Sequence, residues 1–166
     1  MTPYKILFLC TGNSARSIMA EYMIREIARG RFEFYSAGSN PKGEVNPIAL
    51  KVLKNLHRID PSDARSKSWS EFQNVAFDFV ITLCDNARET CPIWPGQPII
   101  AHWGLPDPAM AEGTELEKMN QFSEVARQIR RRLDLFCSLP IEKMERIRLE
   151  KAVKDIGQVG LKPVTA

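Results

Sequence analysis

An open parallel α/β sheet with helices on both faces is the fold that three observations predict. Four short apolar runs, at residues 4–9, 32–36, 77–83 and 99–101, are separated by stretches with helical periodicity, the alternation that builds a parallel sheet by crossovers. The first run is almost continuously apolar, which suits a strand buried on both faces. The chain has 166 residues, the length of one domain that buries most of its unfolded surface without a disulfide or metal staple.

Each element has a local reason. The run from Tyr4 is ended by the Gly- and Asn-containing turn at residues 11–14. A helix is predicted from Ser17, with Met19, Met23 and Ile27 on one face and Gly30 available to terminate it. Asn46 followed by Pro47 is an N-cap with proline at the first helical position, and Ala49, Val52, Leu53 and Leu56 form the stripe behind it. The run at 77–83 is the clearest later strand, and the one at 99–101 ends near His102 and Trp103. Phe122, Val125, Ala126, Ile129, Leu133 and Phe136 keep helical spacing within a long helix from about residue 115 to 137. Beyond Pro140 a further amphipathic segment carries Leu149, Ala152, Val153 and Ile156, before a tail expected to fray. The chain is therefore divided into a domain at 1–139 and a helical extension with a tail at 140–166.

Composition narrows the function. Apolar residues are 44% and charged residues 26%, the balance of an ordinary globular protein. The net charge of +3 is dispersed, apart from Arg130-Arg131-Arg132, which reads as a solvated helix face, so nucleic acid is not an expected partner. No apolar run reaches the roughly 18 residues of a membrane span and no secretion leader is recognisable, so no membrane partner and a cytoplasmic location are expected. The four cysteines, Cys10, Cys84, Cys91 and Cys137, are then expected as reduced thiols.

The segment Cys10-Thr11-Gly12-Asn13-Ser14-Ala15-Arg16-Ser17 places five residues between a cysteine and an arginine. A loop curling from a strand end into a helix N-terminus points backbone N–H groups into a concavity of phosphate size. Arg16 adds a bidentate fork, and the same positive field favours a Cys10 thiolate that acts as nucleophile. Gly12 permits close backbone approach, and Ser17 is placed to hydrogen-bond the thiolate. Cys84 follows the third strand and Asp107 lies shortly after the fourth, so three distant segments are predicted to meet at the carboxyl ends of the strands.

With Ser36-Ala37-Gly38, Thr82-Leu83-Cys84, Cys91-Pro92, His102-Trp103-Gly104 and Asp107-Pro108-Ala109 added to that loop, the chain resembles the low-molecular-weight protein tyrosine phosphatase family. Within it, the chain is similar to the thioredoxin-coupled arsenate reductases, from about residue 5 to residue 137. The resemblance implies a single three-layer α/β/α domain around a four-stranded parallel sheet. It implies Cys10, Arg16, Cys84, Cys91 and Asp107 as catalytic residues, and oxyanion binding by Thr11, Gly12, Asn13, Ser14, Ala15, Arg16 and Ser17. Arsenate or phosphate is the implied anion. No bound cofactor is implied, only an external thiol reductant: thioredoxin is favoured, with glutaredoxin or glutathione as the alternative.

Both branches of the family share the loop, and two features favour the reductase. Reducing arsenate needs two electrons, which a thiol relay through Cys84 and Cys91, with six residues between them, supplies. In the implied relay Cys10 attacks arsenic, Asp107 helps hydroxide leave, Cys84 attacks the Cys10 adduct, and Cys91 moves the disulfide to Cys84–Cys91 while residues 85–90 loosen. In addition, Ala109 and Met110 stand where the phosphatases carry aromatic residues that grip an aryl phosphate. The alternatives are a phosphatase working through a Cys10 phosphocysteine and a non-catalytic oxyanion sensor.

The chain departs from some relatives. Ala15 replaces a second loop cysteine. Relatives that bind potassium use Asn, Glu, Ser and Asp side chains; Asn13, Glu21 and Ser36 correspond, but Lys67 falls near the missing Asp, and its ammonium can replace the metal's charge. No metal is therefore expected, and the spacings of His57 and His102 do not resemble a zinc site. Cys137, Met19, Met23, Trp94 and Trp103 are expected to pack.

Overall fold

The computed structural model describes residues 2–28 and 30–160. Its sheet consists of β1 (Tyr4–Cys10), β2 (Phe32–Gly38), β3 (Phe79–Thr82) and β4 (Ile99–His102), all parallel, in the order β2-β1-β3-β4. The helices are α1 (Arg16–Ile27), α2 (Pro47–Lys51), α3 (Asp85–Thr90), α4 (Glu115–Cys137) and α5 (Arg146–Ile156). Ile6, Leu7, Phe8 and Leu9 are all fully buried, so both faces of β1 are covered, as its continuous apolar run requires. From β1 the chain turns to β2 on one side and later to β3 on the other. That reversal opens a crevice at the carboxyl ends of β1 and β3, the place where such sheets bind ligands. The register puts Leu9 beside Thr82 and Cys10 beside Gly38, so the loop after β1 lies between the ends of β2 and β3.

Capping explains where the helices begin. Asn46 accepts a hydrogen bond from Ile48 N ahead of Pro47, and Thr114 accepts one from Glu117 N at 3.1 Å at the start of α4. Beyond Lys51 the second helix widens over Val52–Leu56, with His57 N donating to Val52 O. The widened turn rotates Leu56 outward to 57% exposure, so it leaves the predicted stripe that Ala49, Val52 and Leu53 keep.

One element is new and one further expectation is corrected. The segment at 85–90 is a helix, α3, which the sequence did not announce. And while Arg130 and Arg131 are exposed, Arg132 is only 2% exposed. It sits on the buried side of α4 and donates to the carbonyls of Trp103 (2.9 Å), Gly104 (3.1 Å) and Val159 (3.2 and 3.3 Å). These carbonyls replace the water its charge loses, so burial is tolerated.

The helix α5 packs on β4 with Leu149, Val153 and Ile156 buried. Trp103 Nε1 donates to Val153 O at 2.9 Å, and a Cβ at Gly157 would come within 2.2 Å of His102 O, so only glycine lets the end of α5 close here. Trp103 is thus a core residue, tilted against Phe8 and edge-on to Phe136, rather than a wall of the crevice. The expected fraying of residues 161–166 lies outside the described residues.

Candidate active site

The loop after β1 is built from behind by its own side chains. Cys10 is buried with its Sγ 2.9 Å from Ser17 Oγ. Asn13 takes a left-handed backbone (φ 45°), and its Nδ2 donates to Ser17 Oγ (2.7 Å) and Ser36 Oγ (3.1 Å). Ser17 Oγ receives that N–H, which leaves its own O–H to donate to the Cys10 sulfur and fix its position at the floor of the loop. The segment after β2 holds the loop's other side: Ser39 N, Asn40 N and Lys42 N donate to the carbonyls of Cys10, Thr11 and Gly12. With those carbonyls engaged, the concave face is left to the N–H groups that an anion needs.

Gly38 is the closest approach in this assembly. A Cβ there would lie 2.4 Å from Thr11 O and 3.0 Å from Asn13 N, both backbone atoms. Gly38→Ala is therefore expected to cost about 2 kcal/mol of stability and to deform the loop; a urea melt checks the first and anion binding the second.

A cavity of about 330 Å³ opens over Cys10, lined by Thr11, Gly12, Ser14 and Ala15 of the loop and by Arg16, Asn40, Lys42 and Asp107. None of these is aromatic. The side chains of Asn13 and Ser17 stand behind the loop, where they meet each other and Cys10, so of these two residues only the backbone N–H groups are left for an anion. Arg16 Nη1 donates to Leu105 O at 3.1 Å and Nη2 lies 3.7 Å from Asp107 Oδ2, while Asp107 Oδ1 accepts from Ala109 N at 3.0 Å. Asp107 thus faces the cavity from a turn it caps itself.

Sequence reasoning missed Lys42, whose Pro-Lys-Gly setting reads as a surface turn. Its stem crosses Gly12, where a Cβ would lie 3.2 Å from Lys42 Cγ and 3.3 Å from Cε. Arg16 already faces Asp107, so Lys42 is the surplus cation of the pocket. Lys42→Met is expected to weaken binding of a tetrahedral oxyanion roughly two- to fivefold, an effect that shrinks in salt; a phosphate titration at two ionic strengths checks it.

The structure brings a second thiol to the same crevice. Cys84 caps α3, its Sγ accepting from Ala87 N at 3.4 Å and lying 3.3 Å from Thr11 Oγ1. Cys91 is kept apart at the far end of the six-residue α3. Asn86 ties α3 to the loop, accepting from Thr11 Oγ1 (3.3 Å) and Ser39 Oγ (3.1 Å). Burial pushes the Cys91 thiol up, and the Trp94 indole opposes that in part. Cys137 is half-buried at the end of α4, and burial pushes its thiol up to about 11. His102 spans Thr82 Oγ1 (2.8 Å) and Asp85 Oδ1 (3.2 Å), and burial holds it below the usual histidine range. No group of three or more His, Cys, Asp or Glu gathers as metal ligands among the described residues.

Behind the loop, Lys67 meets the three side chains that the sequence grouped with it, Asn13, Glu21 and Ser36. Lys67 Nζ is 3.0 Å from Ser36 Oγ, 3.4 Å from Asn13 Oδ1, 3.5 Å from Glu21 Oε1 and 3.1 Å from Arg65 O. These oxygens already surround a positive charge, so the donor set does not fit an additional potassium ion. Desolvation nevertheless pulls the Lys67 ammonium below its usual range, with Glu21 opposing.

Comparison with known proteins agrees with this geometry. An arsenate reductase of Halalkalibacterium halodurans is 41% identical over 132 residues, 80% of this chain and 94% of the relative. The solved structure of an arsenate reductase in the phosphate-binding state superimposes with a TM-score of 0.69 at 28% identity, covering 81% of this chain and 97% of that one. A thioredoxin-dependent arsenate reductase of Corynebacterium glutamicum superimposes with a TM-score of 0.56 at 29% identity, covering 80% of this chain and 63% of that one. The profile of the low molecular weight phosphotyrosine protein phosphatases matches residues 5–151. With the loop, the parallel sheet and the sequence all in agreement, the chain belongs to the low molecular weight phosphotyrosine protein phosphatase family.

Proposed function

We propose that this protein is a cytoplasmic arsenate reductase that uses Cys10, Cys84 and Cys91 in turn and takes its electrons from thioredoxin. The observation that carries the reading is Cys84 at the end of β3, its sulfur 3.3 Å from Thr11 of the anion loop. A hydrolase has no use for a second thiol there. The arsenate reductases among its relatives support the substrate, and the thioredoxin-dependent one supports the reductant.

In this mechanism the Cys10 thiolate attacks arsenic, the loop and Arg16 hold the arsenate oxygens, and Asp107 gives a proton to the departing hydroxide. The Cys84 thiolate then attacks Cys10 Sγ. The sulfur–arsenic bond breaks with its electron pair going to arsenic, which leaves as arsenite, and a Cys10–Cys84 disulfide remains. Cys91 attacks Cys84 as α3 unwinds, and the Cys84–Cys91 disulfide is reduced by thioredoxin. Residues 1–139 carry this chemistry, and the extension from residue 140 braces β4.

The same loop attacks a phosphate ester equally well, so slow phosphatase turnover is an expected side reaction. A dedicated aryl phosphatase is disfavoured because no aromatic side chain lines the cavity. The deciding assay is arsenate-dependent NADPH oxidation with thioredoxin and its reductase, run beside glutaredoxin with glutathione and beside aryl-phosphate hydrolysis. Turnover with thioredoxin supports the proposal; ester hydrolysis with no reduction by either system makes the protein a phosphatase.

The proposal includes independence from potassium, because Lys67 supplies the charge behind the loop. At matched ionic strength, exchanging potassium for sodium is expected to change kcat by less than about twofold. Strong activation by potassium alone contradicts this role for Lys67.

A further inference from the structure

Trp94 is the one residue among the described ones with a buried side-chain polar atom that lacks a hydrogen-bond partner, its indole Nε1. The residue is 4% exposed, and Phe77 meets its ring edge-on with centroids 5.5 Å apart. An unmatched buried N–H costs free energy, so a fold that keeps one invites a functional reason. Trp103 gives the contrast. Where packing alone is needed, this fold gives the indole N–H a carbonyl, Val153 O at 2.9 Å.

Three residues before Trp94 stands Cys91, half-buried, its thiol making only a 3.6 Å contact with Pro92 O. Two influences act on that thiol: burial, which disfavours its charged form, and the Trp94 N–H, which favours it. A neutral sulfur is a weak acceptor and a thiolate a strong one. The donor that is unmatched beside S–H therefore gains its partner when Cys91 ionises.

We infer that the Trp94 Nε1–H is a donor reserved for the Cys91 thiolate, which makes Trp94 a positioning residue that sets how readily the resolving thiol attacks. The inference rests on the proposed relay and names the device that starts its last internal step. Cys91 loses its proton to solvent and attacks Cys84 Sγ. A Cys84–Cys91 bond forms, the Cys10–Cys84 bond breaks, and the electron pair leaves on Cys10, whose sulfur faces Ser17 Oγ. The exchange moves a disulfide and consumes no electrons.

The test uses the full chain with Cys10→Ser, Cys84→Ser and Cys137→Ser, in which Cys91 is the sole thiol, and follows iodoacetamide alkylation against pH. Adding Trp94→Phe removes the N–H and keeps an aromatic ring; the alkylation midpoint is expected to rise by about one pH unit. A more basic thiolate is also more nucleophilic, so the rate at neutral pH falls only roughly threefold. Phe77→Leu loosens the same packing but keeps the N–H, and it is expected to leave the midpoint in place. An unchanged midpoint in Trp94→Phe, or an equal rise in Phe77→Leu, overturns the inference. The readout needs neither arsenate nor reductant, so it fails or succeeds separately from the assignment of the reaction.

Discussion

Cys91→Ser is expected to yield a protein that reduces one equivalent of arsenate and then stops. A serine hydroxyl cannot attack a disulfide, so the first turnover leaves Cys10 and Cys84 joined and the anion loop blocked. Steady-state reduction should fall by ~10³-fold or more, as when one member of an interdependent catalytic set is removed. Quenched single-turnover samples should hold one arsenite per protein and a Cys10–Cys84 disulfide. Aryl-phosphate hydrolysis, which needs only Cys10, Arg16 and Asp107, should stay within about twofold of wild type because Cys91 lies across α3 from the cavity. Loss of both activities together would mean that Cys91 holds the fold rather than the relay.

Arg16→Lys should act in the opposite pattern, lowering kcat/KM for arsenate and aryl phosphate alike by roughly 10²- to 10³-fold. The guanidinium does three things at once: it faces the cavity, donates to Leu105 O at 3.1 Å and lies 3.7 Å from Asp107. An ammonium is a point charge without the planar fork, so it cannot hold the Leu105 carbonyl and grip two anion oxygens together. Asp107 then loses its partner as well. Parallel kinetics on the two substrates check this, and an arsenate-only defect would contradict a shared anion site.

What could be read in advance follows the range of the interactions involved. The anion loop was legible because its parts lie within eight consecutive residues and its chemistry fixes their spacing. The strands and α4 were legible because burial imposes a period on the sequence. Short-range reasoning failed at α3, a six-residue helix whose cap is the sulfur of Cys84, a residue seldom used as a cap. It failed at Arg132 for another reason. The periodicity of α4 did reserve a buried place there, but the carbonyls that satisfy the charge belong to Trp103, Gly104 and Val159, far away in sequence. Lys42 was missed likewise, since only the folded chain lays its stem across Gly12. Gly38 shows the reverse: its place in Ser36-Ala37-Gly38 was noted, and its contact with Thr11 O supplies the physical reason for a glycine.

The relay is tested most directly by mixing the wild-type protein with one equivalent of arsenate, without any reductant, then alkylating it and mapping its thiols by mass spectrometry. The account predicts one arsenite released per protein, a Cys84–Cys91 disulfide, and Cys10 and Cys137 recovered as free thiols. Arsenate left unreduced and all four thiols free, in a sample that still hydrolyses an aryl phosphate, would contradict it.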